Sequence, residues 1–410
     1  MRRVLMVAYH FPPLAGSSGI QRTLRFVQQL PQHGWEPIVL TANPLAYDQT
    51  SSDLLSEVPT NIPVHRAWAL NTSKHLAIGG RYLARMARPD RWVSWRLAAV
   101  PLGMHLIRKY RPDVIWSTYP IATAHLIGAQ LAARSGIPWV ADFRDPMAQS
   151  GYPADPETWK QFQQIESAAV SHATHSVFTT PGAAKEYRRR YPIHADKITV
   201  IENGYDESSF SGATNTNARL EPGKFTLLHS GIVYPSERDP RALFAALGRL
   251  KREGVMAAEQ WAIRFRASNN DAMLSELARK HDITDLVQLL PPIRYREALS
   301  EMLSADGLLV MQGRGCNAQI PAKAYEYIRA RRPILALADP EGDTAGLLRN
   351  AGVQTLAALE DEHAVEGALR QFSELLRNGN ASVASDMVAQ SHSRESRTLE
   401  LARLFDRIVG

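Results

Sequence analysis

Short β-rich runs alternate with amphipathic stretches along nearly the whole chain, and that alternation limits the folds open to it. In the first half, VLMVAYHF, EPIVLTA, IPVHRAWAL, PDVIWST, IPWVADF, HSVFTT and ITVIE read as strands. Between most of them lie stretches with helical apolar spacing, such as IQRTLRFVQQL, IATAHLIGAQLAARSG and DPETWKQFQQIESAAVSHA. Strands separated in this way build parallel sheets covered by helices on both faces. A polar, turn-rich stretch, SSFSGATNTNARLEPG, then interrupts the pattern and reads as a linker. The alternation restarts with FTLLHSGIV, WAIRFRAS, LVQLLPPI, DGLLVMQ, PILALA and VQTLA, and the tail from Ala381 is helical and strandless. The expected fold class is α/β, with two doubly wound Rossmann-like domains facing a central cleft. Their expected bounds are 1–206 and 223–391, with a helix over 392–410 that returns to the first domain. In such sheets ligands bind beyond the carboxyl ends of the strands, so the loops there are where chemistry is sought.

Composition narrows the class. Of 410 residues, 45% are hydrophobic and 21% charged, which are globular values. No apolar run approaches the roughly 18 residues of a membrane span. The opening MRRVLMVAYHFPP lacks a long apolar core and a cleavage site, and reads as a core strand. The single cysteine, Cys316, excludes an intrachain disulfide framework and fits a cytoplasmic setting. No metal-ligand spacing is present, and His10, His125 and His229 read as structural. The net charge of +6 suits a polyanionic partner. Much of it lies between residues 71 and 111, where Lys74, Arg81, Arg85, Arg88, Arg91, Arg96, Arg108, Lys109 and Arg111 face one acid, Asp90. No nucleic-acid-binding module shows, so nucleic acid is not an expected partner.

Four loops carry the candidate chemistry. YHFPPLAGSSGIQRTLRF places Gly16 and Gly19 around two serines before a helix, either an anion cradle or a capped turn. IPWVADFRDPM gathers Asp142, Arg144 and Asp145 at one strand end. Such charges must pair or meet a ligand, so the choice is a local ion pair or contact with sugar hydroxyls and acceptor. LLHSGIVYPSERDPRAL exits a strand through Ser230 and Gly231, with Arg238 following as a diphosphate clamp or a surface partner of Glu237. In QIPAKAYEYIRARRPILALA, Pro321 opens a helix and Lys323 and Glu326 share its mouth. Lysine there opposes the helix dipole, and a bound anion would relieve the mismatch. Glu326 suits vicinal hydroxyls such as a ribose; the alternative is a plain Lys323–Glu326 pair.

YHFPPLAGSSGIQR, PWVADFRDP, VIENGYD, HSGIVY, ERDPRAL and PAKAYEYIRARRPIL together resemble the family 4 glycosyltransferases of GT-B type. The pieces fall in the family's order over most of the chain, and DFRDP and PAKAYEY are the most specific. The resemblance implies a retaining, metal-independent transfer of a sugar from a UDP- or GDP-linked donor to a saccharide or lipid-linked acceptor, in polysaccharide or glycolipid assembly. It implies donor contacts at Gly16, Ser17, Gly231, Arg238, Lys323 and Glu326, and acceptor contacts at Ser18, Gly19, Tyr119 and Asp142. Asp142, Arg144, Asp145, Arg238 and Lys323 are the expected catalytic set, with no covalent nucleophile. Three positions depart from the family pattern. Ala318 stands where its first glutamate falls, Ile232 where many members carry a second arginine, and Arg331 where a glycine is common. With Trp92, Trp95, Leu97 and Ile107 interleaved, segment 71–111 is suited to an anionic membrane surface. Two other readings of the whole chain are a nucleotide-sugar epimerase on the same plan and a degenerate, non-catalytic scaffold.

Overall fold

The computed structural model describes residues 1–17, 19–213 and 219–410. It divides into two compact units, residues 1–202 with 394–410, and residues 203–393. The boundary thus differs from the expected one. Asn203 to Asp206 belong to the second unit, where Tyr205 is buried, and within the presumed linker Phe210 is buried and Ala213 and Leu220 pack on the same core.

Among the described residues the first unit holds seven strands: β1 (Arg2–Val7), β2 (Trp35–Ala42), β3 (Val64–Ala67), β4 (Val114–Thr118), β5 (Trp139–Arg144), β6 (His175–Phe178) and β7 (Ile198–Val200). All pairings are parallel, in the order β3-β2-β1-β4-β5-β6-β7. Alternate β1 residues explain why the sheet needs two covers. Leu5 and Val7 join one core cluster, while Val4 and Met6 join another on the opposite face. The second cluster is completed by the C-terminal helix Arg394–Val409, through Leu401, Leu404 and Phe405. That helix is anchored by Trp35, whose ring centroid lies 5.1 Å from Phe405 and whose Nε1 donates to Asp406 at 3.1 Å.

The second unit repeats the plan with β8 (Phe225–Ser230), β9 (Trp261–Arg266), β10 (Val287–Leu290), β11 (Gly307–Gln312), β12 (Ile334–Ala338) and β13 (Thr355–Ala357). The parallel order is β10-β9-β8-β11-β12-β13. Leu309 and Met311 face one core cluster and Leu308 and Val310 the other. In each sheet the strand order reverses once, between β1 and β4 and between β8 and β11, which marks the crevice where ligands bind in this architecture.

Candidate functional site

The residues at the carboxyl ends of β8 and β11 come from loops 313–321 and 231–240 and the helix Ala322–Ala330. Gln312, at the end of β11, staples its loop by donating to the Cys316 and Gln319 carbonyls at 2.7 and 3.0 Å and accepting from Thr344. The Gly313 N–H reaches across to the Glu237 carbonyl at 2.6 Å, tying the two loops together. The Tyr327 hydroxyl accepts from the Ser230 N–H at 2.9 Å and fixes the helix to the end of β8.

This framework brings Gly231, Arg238 and Lys323 into one cluster. Gly231 has φ +116°, a conformation that disfavours side chains, and a Cβ there would stand 3.0 Å from the Lys323 Nζ. Lys323 Nζ lies 3.1 Å from His229 Nε2, and among the described residues it has no carboxylate partner. Burial and the nearby Arg238 guanidinium lower its pKa to about 7, against the weaker pull of Glu326. Arg238 is held from three sides. Nη1 donates to the Ile232 carbonyl at 2.9 Å, Glu237 lies 4.0 Å away, and the Tyr234 ring centroid is 5.4 Å from Cζ. Glu326 is not the simple partner of Lys323. Its carboxylate accepts from the Tyr295 hydroxyl at 2.7 Å, one helical turn deeper. The two side chains at the helix mouth thus take different partners.

Around Ala318 the loop's carboxylates are engaged. Asp339 accepts from Arg314 at 2.9 Å and Asn317 at 2.8 Å, and Glu360 from the Arg314 N–H at 2.9 Å. Arg331 keeps the left-handed conformation that glycine would supply, at φ 50°, held by its bond to the Ala384 carbonyl at 3.0 Å and by Asp386. Cys316 is a buried loop residue whose thiol pKa is raised by burial.

The first unit's charged strand end has a different character. Asp142 is fully buried. Its carboxylate accepts from Arg22 Nη2 at 2.8 Å, Arg22 Nε at 3.2 Å and Thr118 at 2.7 Å. Arg22 in turn donates to the Ile201 and Glu202 carbonyls, each at 2.9 Å. Of the two readings of this strand end, ion pair or ligand contact, the geometry at Asp142 is that of an ion pair, with Arg22 as the partner. Sequence reading missed Arg22, although three charges at one strand end signalled that a partner was required.

A register shift falls between Asp142 and Arg144. Arg144 sits at φ 58°, donates from Nη1 to the Gly19 carbonyl at 3.2 Å, and leaves a buried Nε without a partner. Burial lowers its pKa. Asp145 is exposed by accessible area, yet enough protein crowds its carboxyl to raise its pKa. His10, neutral with its pKa lowered to about 3 by burial and Arg144, lies 3.2 Å from the Ser17 hydroxyl. A Cβ on Gly19 would fall 2.4 Å from His10 and 2.6 Å from Arg144, so only glycine permits this approach. Gly16 turns the chain just before, at φ +76°. Ser18 lies outside the described residues. Tyr119 is buried, its backbone bonded to Asp142 and its hydroxyl pKa raised mainly by burial. The structure brings His10, Ser17, Gly19, Arg144 and Asp145 together and leaves Asp142 in the core.

In segment 71–111 the interleaved aromatics are not a surface. Trp95 is buried, and Trp92 packs 4.7 Å from Tyr9 and donates to the Ala46 carbonyl. The exposed apolar side chains there are Ile78, Tyr82, Leu83 and Leu97. Among the described residues no helix is long and apolar enough to cross a membrane, and no group of three or more His, Cys, Asp or Glu is placed to hold a metal ion.

Comparison with known proteins shows what the chain is similar to. Residues 18–204 match the glycosyl transferase 4-like domain. The D-inositol 3-phosphate glycosyltransferase of Pseudarthrobacter chlorophenolicus is 25% identical over 242 residues, covering 53% of this chain and 56% of that one. Over the first unit the chain is thus similar to the glycosyl transferase 4-like domain. A second relative of the same description, from Arthrobacter, is 25% identical over 234 residues. The chain spans about half the length of these curated relatives. Among solved structures, sucrose-phosphate synthase from Thermosynechococcus elongatus superposes with TM-score 0.65 at 14% identity, covering 100% of this chain and 99% of that one. HepE from Anabaena, solved with UDP, gives TM-score 0.65 at 12% identity, covering 99% and 100%. At these identities the structures establish the GT-B fold alone.

Proposed function

We propose that this chain is a family 4 glycosyltransferase that transfers a sugar from a nucleotide-diphosphate donor to a saccharide or lipid-linked acceptor, with retention and without a metal. The observation that carries the reading is the Gly231–Arg238–Lys323 cluster, two cations and an open glycine backbone at the switch point of the second sheet. A desolvated ammonium beside a guanidinium is unfavourable until an anion arrives, and a diphosphate supplies that charge. As the sugar leaves, negative charge grows on the departing diphosphate, where Arg238 and Lys323 stabilise it electrostatically. Glu326, oriented by Tyr295, receives the ribose hydroxyls. HepE of Anabaena has been solved with UDP and with UDP-glucose, which favours the uridine donor over the guanosine one here.

In the first unit, Ser17, Gly19, Arg144 and Asp145 form the acceptor side. The exposed apolar residues Ile78, Tyr82, Leu83 and Leu97, interleaved with Lys74, Arg81, Arg85 and Arg96, rest on an anionic cytoplasmic membrane surface that delivers a lipid-linked acceptor. Calorimetric titration with UDP and GDP tests the donor site directly, and no binding at millimolar concentration would defeat the reading. Anomeric analysis of the product tests retention, and transfer undiminished by a chelator tests metal independence. Co-sedimentation with phosphatidylserine vesicles, lost on Ile78→Asp with Leu83→Asp, tests the membrane surface.

A further inference from the structure

We infer that His229 is a positioning residue for the donor diphosphate: it accepts a hydrogen bond from Lys323 and holds that ammonium against Gly231, aimed at the anion. The inference rests on the donor-site reading above.

The tautomer follows from the partners. His229 Nδ1 lies 3.0 Å from the Leu309 carbonyl, which can only accept, so Nδ1 carries the proton. The ring is buried at the end of β8 and packs 5.9 Å from Phe265. Lys323 and Arg238 face it with positive charge, and the carbonyls of Leu309 and Ile232 face it with the opposite sense. Burial first, then Lys323, holds the ring neutral and its pKa well below the usual value. A neutral ring with a proton on Nδ1 presents a bare lone pair at Nε2, 3.1 Å from the Lys323 Nζ. Lys323 therefore donates one of its three N–H bonds to His229 and keeps two for a ligand. Lysine is a flexible point charge, and without an acceptor behind it the head group would leave this recess for water. Gly231 completes the device, since any Cβ there would occupy the 3.0 Å approach to Nζ. The β11 carbonyl, the β8 imidazole and the helix lysine form a relay that orients the cation before the donor arrives, and such pre-ordering lowers the cost of binding.

The test is a double-mutant cycle read by calorimetry, with UDP as the probe and GDP in parallel. His229→Phe keeps a ring on Phe265 but offers no acceptor, and it should weaken binding about tenfold, the worth of roughly one oriented hydrogen bond. In a Lys323→Met background the same change should have no further effect. His229→Gln, whose amide oxygen reaches the Nε2 position, should restore most of the affinity, a rescue that a purely structural role would not show. Additive effects in the cycle, or His229→Phe binding as tightly as wild type, overturn the inference. If Lys323→Met weakens binding while His229→Phe does not, this inference fails and the donor site stands. If wild type binds neither UDP nor GDP, both fall together.

Discussion

The two units carry charged residues at equivalent places, the carboxyl ends of parallel strands, and treat them in opposite ways. In the first, Asp142 and Arg22 close on each other and on Thr118 and two carbonyls, so the charge is spent on the fold. In the second, Lys323 gathers with Arg238, a neutral histidine and a carbonyl, and Glu237, 4.0 Å from Arg238, offsets the two cations only in part. The lesson is that charge at a strand end does not by itself mark a site. What marks it is whether the charge is balanced once the chain has folded.

Substitutions should separate the two regions sharply. Asp142→Ala leaves Arg22 buried without its counter-charge, and breaking such a pair costs about 3–5 kcal/mol. The expected outcome is a large fall in the thermal unfolding midpoint, and an unfolding transition like that of wild type would contradict it. Lys323→Met should do the reverse. It removes a desolvated cation, so the fold should be as stable as wild type or more so. UDP affinity should drop about 12- to 150-fold, the range for a charge-assisted hydrogen bond to phosphate. Gly231→Ala should weaken binding less, by about tenfold, because the φ of +116° and the approach to Lys323 both strain. Smallest of all, Tyr295→Phe should weaken nucleotide binding about threefold to fivefold by removing the hydroxyl that orients Glu326. An unchanged affinity in Tyr295→Phe together with Glu326→Gln would remove the ribose assignment.

The fold was largely legible because its signal is local. Each strand announces itself by its own apolar run, and the restart of the alternation after the polar stretch marks the second sheet. The site was legible only to the level of loops. Gly231, Arg238 and Lys323 could be named as candidates because each follows a strand or opens a helix. Their meaning depends on partners that spacing cannot reveal: His229 lies 94 positions from Lys323, and Arg22 lies 120 positions from Asp142. Periodicity could not tell that Trp95 faces the core while Ile78 does not, because the segment around Gly79 and Gly80 is a turn rather than a continuous helix. Nor did the helix-mouth spacing of Lys323 and Glu326 show that each would choose a different partner.

The central claim is that Lys323 waits, partly discharged, for the anion that restores its proton. Its pKa in the free protein is about 7. A bound diphosphate raises that value, so proton uptake accompanies binding. The favourable contribution is fully present below the free pKa and is lost as pH rises through it, toward the bound value. The direct measurement is the UDP dissociation constant by calorimetry between about pH 7 and about pH 9, in buffers of different ionisation heat, for wild type and Lys323→Met. The account predicts wild-type affinity falling by close to tenfold per pH unit, with about one proton taken up, and a flat profile for the variant. A flat wild-type profile without proton uptake would contradict it.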